Sequence, residues 1–240
     1  MTKQEQLTLL HQGATQWNQF RKDFPTVRID LSGANLAGCD LRQTNFDGAN
    51  LLDVNLSRAN LSDAHISHAN LSEANLCQAT FTGAVLRHAN LSEADLSQAT
   101  FHRTDLSHAN LLKADLSDAD MTEATLLEAN LHLIVAQNAV FRKADLRQTK
   151  MRGGQLQNAN LEGANLSLAD LAQSTLSKAN LQQTILTDAS LIHANLQYAN
   201  LQRAQDLTVT QLSKTKSLKG ALLDSALQEL ISSKHPALLK

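Results

Sequence analysis

The sequence has few of the residues that most domains use for packing or cross-linking. Aromatic residues make up 3% of its 240 residues, and it contains only two cysteines and two prolines. Cys39 and Cys77 are too few for a disulfide framework and are typical of a reducing compartment. The formal net charge is -2, whereas strong binding to a nucleic-acid backbone requires clustered positive charge. We therefore expect no direct binding to nucleic acid.

Long apolar runs and familiar catalytic motifs are also missing. No stretch approaches the roughly 18 apolar residues of a membrane span, and the opening MTKQEQLTLLHQGATQW lacks the apolar core of a secretory signal. We therefore expect a cytoplasmic protein that makes no membrane contact. The sequence contains no Walker loop, dinucleotide fingerprint or nucleophile elbow, which argues against nucleotide binding and against common hydrolase chemistry.

The sequence does contain a five-residue repeat. A large apolar residue recurs at nearly every fifth position from Leu31 to Leu201 without an insertion or deletion, which gives 35 centres, of which 27 are leucine. Two residues before each centre lies a small residue, which is alanine in 25 cases. Residues five apart on an α-helix are rotated by about 140°, and on a flat strand they alternate faces. Neither standard element suits this period.

A coil of short extended pieces does suit this period. In the triplet Ala-Asn-Leu the first and third residues share one face of an extended backbone, so alanine and leucine would point inward and asparagine outward. The next two residues, commonly Ser followed by Gly, Glu, Gln, His or Asp, favour turns. Six of the nine glycines occupy the second turn position, at 33, 38, 48, 83, 153 and 163. The pattern predicts leucine and alanine along the axis of a coil.

The segments SGANLAGCDL, SRANLSDAHI and SEADLSQATF resemble the A(D/N)LXX units of pentapeptide-repeat proteins, over about residues 29 to 204. This resemblance implies an all-β solenoid, a right-handed quadrilateral β-helix of about nine coils with four pentapeptides per coil. At about 4.8 Å between stacked strands, the rod would be roughly 42 Å long. Phe81, Phe101 and Phe141 share one phase of a 20-residue coil with Met121 between them, so we predict an internal ladder on one side.

Short helical caps are expected at both ends of the solenoid, because its open ends need covering. Thr2 and Glu5 have capping-box spacing, and a set of apolar residues follows helical spacing as far as Pro25. That set is Leu7, Leu10, Ala14, Trp17, Phe20 and Phe24. The C-terminal stretch predicts one helix near 209 to 215 and a second near 225 to 232, with Ser225 and Gln228 at capping-box spacing.

Three segments follow from these patterns: an N-terminal helical cap at 1–28, the repeat β-helix at 29–204, and a C-terminal helical cap and tail at 205–240. Both caps resemble those of cyanobacterial pentapeptide-repeat proteins.

The outward positions offer little chemistry. His68, His88 and His108 share one phase of the coil and are followed by Glu128, a set that could in principle bind zinc. Stacked imidazoles would lie parallel instead of converging, so we expect no metal site and no cofactor. A convex rod with a filled axis has no dry pocket for acid-base catalysis, so we expect no enzyme and no catalytic residue.

The preferred hypothesis is a rigid non-catalytic rod or scaffold that docks a protein partner, with regulation as one role. Leu112, Leu133 and Val135 are apolar outward residues near one corner of neighbouring coils. With the basic residues Arg142, Lys143 and Arg147 just beyond them, they form the predicted partner surface. The alternative is that single exposed apolar side chains are ordinary on any surface. We expect a monomer or weak dimer and an unidentified protein partner.

A second hypothesis is a DNA-mimicking modulator of DNA gyrase, since some pentapeptide-repeat proteins act on gyrase. The array from 29 to 204 holds 18 acidic and 12 basic residues, a balance of -6. A DNA mimic should carry negative charge along its whole length, and the basic residues between 142 and 152 interrupt it.

One unit of the array exchanges its large and small residues. Ile134 occupies a position that is usually alanine, and Ala136 occupies a position that is usually leucine. The exchange nearly keeps the interior volume, so we predict a repacked coil without a hole.

Overall fold

A computed structural model describes residues 1–240, in which short helices cover both ends of a β-helix. The helices are α1 (Lys3–Leu10), α2 (Ala14–Asp23), α3 (Val209–Leu212) and α4 (Ser225–Lys234), followed by a 3-10 helix at Pro236–Leu239. No helix is long and apolar enough to cross a membrane.

Between the caps the backbone forms parallel β-bridges between residues 20 apart, with one bridge residue on each of four sides. We number the sides by their bridge residues, in steps of 20. Side 1 runs from Asp30 to Ser190, side 2 from Asn35 to Asn195, side 3 from Asp40 to Asn200, and side 4 from Asn45 to Gln205. No strand extends beyond an isolated bridge. The architecture is the predicted right-handed quadrilateral β-helix.

The axis of the rod is packed as the repeat predicts. Every centre from Leu31 to Leu201 is buried, and so is every preceding small position except Cys39, which is half-buried. The rings of Phe81 and Phe101 stack with centroids 4.7 Å apart and planes 3° apart. The two cysteines are free thiols. The predicted aromatic ladder is thus confirmed for Phe81 and Phe101, and the axis is filled.

Each corner between two sides is a β-turn, whose first residue is the centre of one unit and whose fourth begins the next unit. In the first turn the Ala34 N–H donates to the Leu31 carbonyl at 3.0 Å. The third residue has positive φ in all 35 corners, and 29 of these residues are not glycine. A turn with positive φ at its third residue usually selects glycine, and β-branched residues suit it least. None of the 35 is valine, isoleucine or threonine.

The outward asparagines and aspartates hold these turns from outside. The side-chain oxygen of Asn70 accepts the Ser72 N–H at 3.3 Å, and that of Asp105 accepts the Ser107 N–H at 3.0 Å. Every asparagine and aspartate at a bridge position between 30 and 200 makes this Asx-turn bond. The polar residue of the repeat therefore closes the corner as well as facing water.

Side 1 adds a ladder of side-chain amides. The Nδ2 of each asparagine donates to the side-chain oxygen one coil earlier, from Asn50 on Asp30 at 2.9 Å to Asn130 on Asn110 at 2.8 Å. The intervening bonds link Asn70, Asn90 and Asn110. The ladder ends where Lys150 replaces asparagine.

The N-terminal cap contains two helices. The capping box of Thr2 and Glu5 is confirmed at the start of α1. The apolar residues that follow helical spacing as far as Pro25 are divided between two helices, because Gly13 at φ 105 separates α1 from α2. Phe24 leaves the helix at φ -127 and ψ 63, and its side chain is 56% exposed instead of facing the core.

Helix α2 supplies hydrogen-bond donors to carbonyl groups at the open edge of the first coil. Trp17 is fully buried, and its Nε1 donates to the Asn45 carbonyl at 2.7 Å. Asn18 donates to the Gln43 carbonyl at 2.8 Å. The Asn45 carbonyl, and the Asp47 carbonyl that accepts from Arg21 Nη2 at 2.5 Å, are of the type that accepts from the preceding coil further along the rod, so the cap protects an open sheet edge.

At the C-terminal end, the second predicted helix is present as α4 (Ser225–Lys234), whereas the first helix and the predicted capping box differ. Helix α3 is shorter than predicted and has a capping box of Thr208 and Gln211. The predicted capping box at Ser225 and Gln228 is wrong, because Asp224 is the N-cap of α4 and makes no side-chain capping bond.

Between α3 and α4 the coil resumes. Ser217 bridges Asn195 and Leu222 bridges Asn200, so these pairs are 22 residues apart instead of 20. The two additional residues accommodate α3, and sides 2 and 3 gain a further bridge. Side 1 ends at Ser190.

Candidate functional site

The apolar residues predicted to face a partner lie together. Leu112 and Leu133 occupy the corner between sides 1 and 2 in successive coils, and Val135 is the next bridge residue on side 2. Leu133 is 43% exposed, whereas Leu112 and Val135 are half-buried. These three residues form a small apolar surface centred on Leu133.

Leu133 is held by its backbone and by the coil above. It is the third residue of its turn, at φ 56. Its N–H donates to the Arg152 carbonyl at 3.0 Å. Its side chain lies against the Cα of Gly153, so closely that a Cβ at Gly153 would be 2.7 Å from Leu133 Cδ2. Contact with Gly153 therefore restricts one side of the leucine side chain, while the other side is exposed.

The basic residues of the predicted surface lie elsewhere. Arg142 and Lys143 form the corner between sides 3 and 4, so two sides separate them from Leu133. Arg147 lies at the corner between sides 4 and 1 and bonds Asp145 at 2.7 Å. Arg142 faces Glu162 at 3.7 Å. The six predicted residues do not form one continuous surface, because each five-residue step turns the chain by one side.

Two other basic residues lie beside the apolar group. Arg152 is at the same corner as Leu133, one coil later, and Lys150 is the adjacent bridge residue on side 1. Both are exposed, and neither is in an ion pair. A prediction that assigned each residue to a side from its position within the 20-residue coil would have selected Lys150 and Arg152 instead of Arg142 and Lys143.

The exchanged residues Ile134 and Ala136 both point inward and are fully buried, as predicted. The compensating residue is Gly154, which lies one coil above Ile134. A Cβ at Gly154 would lie 3.3 Å from Ile134 Cγ1 and 3.1 Å from Leu156 Cδ1. The glycine thus makes room for the isoleucine. The sequence could have predicted this compensation, because Gly154 lies 20 residues after Ile134 at a position that is usually alanine.

The histidines form a parallel stack, as predicted. His68 and His88 have ring centroids 4.9 Å apart and planes 7° apart, and His88 and His108 are 4.8 Å and 4° apart. Glu128 continues the column, with its Oε2 3.4 Å from His108 Nδ1. The rings face one another and do not converge on a common point. No group of three or more His, Cys, Asp or Glu side chains has metal-binding geometry.

Two half-buried carboxylates with shifted pKa values, Asp105 and Asp145, belong to the turns. Partial burial raises the pKa of Asp105, but hydrogen bonds from Ser107 and the nearby Arg87 outweigh burial, so the net pKa is lowered. Burial likewise raises the pKa of Asp145, and bonds from Arg147 lower it below its ordinary value. Both carboxylates are therefore stabilised in the charged form, which suits structural bonding and does not suit proton transfer at neutral pH.

The axis itself contains only apolar side chains and a few small polar residues. Thr149, Ser174 and Thr184 donate their hydroxyls to carbonyls three residues earlier at 2.7 Å. The clefts on the molecule are lined by surface residues, and the largest, of about 580 Å³, lies at the C-terminal end. The side chains that are accessible for contact therefore lie on the outside of the rod.

Comparison with known proteins agrees with this architecture. HetL, a pentapeptide repeat protein involved in heterocyst differentiation regulation from the cyanobacterium Nostoc sp. strain PCC 7120, is 29% identical, with 87% of this chain and 97% of HetL covered and a TM-score of 0.44. Trypsin-treated QnrB1, a plasmid-mediated fluoroquinolone resistance protein, is 18% identical, with coverages of 86% and 95% and a TM-score of 0.61. The second likeness shows the fold alone. A search of curated proteins finds no match.

The family model named Pentapeptide repeats matches eight copies, in segments that run from 27–63 to 174–205 and together cover 27–205. These copies coincide with the stacked turns and bridges of the four sides. The chain therefore belongs to the pentapeptide-repeat family.

Proposed function

We propose that this protein is a non-catalytic rod that docks a protein partner through the surface formed by Leu112, Leu133, Val135, Lys150 and Arg152. The observation that carries the proposal is Leu133, a large apolar side chain that is 43% exposed and held against Gly153. A side chain that is already ordered loses little entropy on binding. Leu133 is therefore suited to act as an anchor.

The charges around the anchor indicate the chemistry of the partner. Lys150 and Arg152 are exposed and have no carboxylate partner. An apolar core with a charged rim is the usual arrangement of a transient interface. We expect a complementary surface with an apolar pocket bordered by Asp or Glu, because opposite charges favour encounter and orientation. We further propose a monomer or weak dimer in the cytoplasm, a location that suits the two free thiols.

The test compares two exposed leucines at the same turn position. Leu133 and Leu168 are 43% and 56% exposed and have φ angles of 56 and 62. Wild type, Leu133→Asp and Leu168→Asp would be used for affinity capture from extracts of the source cells, followed by calorimetry with each purified candidate. We expect Leu133→Asp to weaken binding by about tenfold or more, and Leu168→Asp to have little effect. Equal binding by all three proteins would refute the proposal.

The charge pattern gives the gyrase hypothesis no specific support. Basic residues lie among the acidic ones at the corners, and cross-coil pairs join Arg103 to Glu123 at 2.9 Å and Lys113 to Glu93 at 3.0 Å. Such pairs neutralise the charge that a DNA mimic would present. A supercoiling assay with purified gyrase distinguishes the two functions, and we expect neither inhibition nor protection at micromolar protein.

A further inference from the structure

The C-terminal end of side 1 has an incomplete ladder. In a regular coil the centre N–H donates to the carbonyl 19 residues later, as Leu31 does to Asn50 at 2.9 Å. This bond persists at the last centres of sides 2 and 3, where Leu196 donates to Ser217 at 3.0 Å and Leu201 donates to Leu222 at 2.8 Å.

On side 1 the corresponding donor is the Leu191 N–H, which has no acceptor. The Asp188 N–H, at the preceding corner, has none either. The residues that would accept these bonds, at 210 and 207, are displaced because the chain enters α3.

The open edge lies in the largest cleft of the molecule, of about 580 Å³. Its lining includes both residues with a free N–H, together with Ser190, Thr210 and Gln211. The Gln211 Nε2 donates to the Ala189 carbonyl at 3.0 Å and so replaces the missing strand as a donor. The edge therefore has two backbone donors without an acceptor, while its carbonyl is already satisfied; Asp188 is exposed, and Leu191 is 2% exposed but lines the cleft.

The charges of the cleft restrict what can accept from these donors. Asp188 and Asp206 line the cleft and are in no ion pair, and Lys214 is its only lysine or arginine. Asp206 accepts the Thr187 hydroxyl at 2.6 Å. Two carboxylates against one ammonium disfavour an anionic ligand, although the N–H groups require acceptor oxygens. Neutral carbonyls accompanied by a positive charge satisfy both conditions.

We propose that this cleft binds an extended peptide segment of a partner protein that carries a lysine or arginine, and that the segment adds to side 1 as its missing strand. Peptide carbonyls would accept from the N–H groups of Asp188 and Leu191, and the peptide cation would lie between Asp188 and Asp206. Addition of a strand to an exposed edge is an established mode of peptide recognition. At about 3.3 Å per residue, the open edge holds three to four peptide residues. The site is separate from the Leu133 surface and does not depend on it.

The proposal can be tested by amide NMR titration of the full chain with the probe acetyl-Val-Lys-Val-Thr-amide, and in parallel with the same peptide carrying Glu in place of Lys. We expect saturable shifts of the Asp188 and Leu191 amides. The lysine peptide should bind at least about fivefold more tightly than the glutamate peptide.

Two variants and one matched control locate the binding. Asp188→Asn combined with Asp206→Asn should weaken binding of the lysine peptide about fivefold or more. Asp53→Asn changes an aspartate at the equivalent turn position, also at φ 54, and should leave binding unchanged. Thr210→Trp should fill the cleft and abolish the shifts, while the remaining amide spectrum reports that the fold is intact.

Three results would overturn the proposal. The first is equal or tighter binding of the glutamate peptide, which would indicate an anion site. The second is the absence of shifts at Asp188 and Leu191 at saturating peptide. The third is concentration-dependent broadening of these amides without peptide, together with a dimer in sedimentation velocity, because the cleft would then be occupied by a second copy of the chain.

Discussion

Two neighbouring parts of the rod are held together in different ways. From Asn50 to Asn130, every bridge residue of side 1 is an asparagine that closes its turn and bonds the next amide. Between 135 and 155 only Asp145 closes its turn in this way. The other bridge residues there are Val135, Val140, Lys150 and Gln155.

The irregular coil compensates inside the axis, where Ile134 packs beneath Gly154. The axis stays fully buried in the coil where the outside bonds are fewest, so the two contributions can be tested separately. Outward bridge positions without an Asx-turn bond carry residues such as Val135 and Lys150 here, and Val85 in a regular coil. The lapse in the repeat thus coincides with a surface that carries Leu133, Val135 and Lys150 in place of the usual polar residues.

The largest expected effect concerns the packing of the irregular coil. Ile134→Ala should lower the free energy of unfolding by about 2 to 4 kcal/mol, because Gly154 above it cannot fill the space. Urea denaturation measures the loss. The same substitution at Ile185, a half-buried bridge residue on side 4, should cost less than about 1 kcal/mol and serves as the control. Equal losses at the two positions would contradict the inward role of Ile134.

A larger residue at position 154 tests the same packing contact between Ile134 and Gly154. Gly154→Ala should cost about 1 to 3 kcal/mol, because the new Cβ would lie 3.1 Å from Leu156 Cδ1 and 3.3 Å from Ile134 Cγ1. Combined with Ile134→Ala, the loss should be smaller than the sum of the single losses by at least about 0.5 kcal/mol. Strict additivity in this double-mutant cycle would show that the two residues do not compensate each other.

Restoring an Asx-turn bond at position 150 should make the irregular coil more stable, as in the regular coils. Lys150→Asn places an acceptor for the Arg152 N–H and extends the amide ladder from Asn130, so it should raise stability by about 0.5 to 1 kcal/mol. The reverse change, Asn110→Lys, should lower stability by at least as much, because it breaks two ladder bonds and one turn bond. Hydrogen exchange of the residue 152 amide checks the local effect. No added protection there would mean that the turn bond contributes little.

The smallest expected effect is on the free energy of unfolding at acidic pH. Because the folded-state pKa of Asp145 is lowered, its contribution to stability is present at neutral pH and is lost progressively below about pH 4. Asp145→Asn keeps an acceptor for the turn but removes the charge opposite Arg147. The variant should therefore lose less stability than wild type between neutral pH and about pH 3. Parallel curves for both proteins would rule out this linkage.

The fold could be predicted from the sequence because the five-residue period is unbroken through 35 units. Period alone determines which residues face the axis, and the burial of Ile134 and the stacking of Phe81 on Phe101 follow from it. The grouping of Leu112, Leu133 and Val135 was predicted for the same reason.

Features that depend on three-dimensional neighbours were missed. The basic residues of the site were chosen by proximity in sequence, although a five-residue step moves the chain to another side, and Lys150 and Arg152 were overlooked. The break at Gly13 was missed because the apolar spacing continues across it. The open edge at Leu191 could not be foreseen, because it depends on where α3 displaces the returning chain.

The corners of the rod have a further consequence for how such a protein can change. Their backbone adopts the same positive φ with Gln, His, Lys, Leu or Tyr at the third position. Shape is thus encoded by the inward residues and by the bridge asparagines and aspartates, while recognition can be encoded at the corners by almost any residue that is not β-branched. Because the two codes occupy different positions, the molecule is suited to acquire new binding specificities by substitution at its corners while its architecture is conserved.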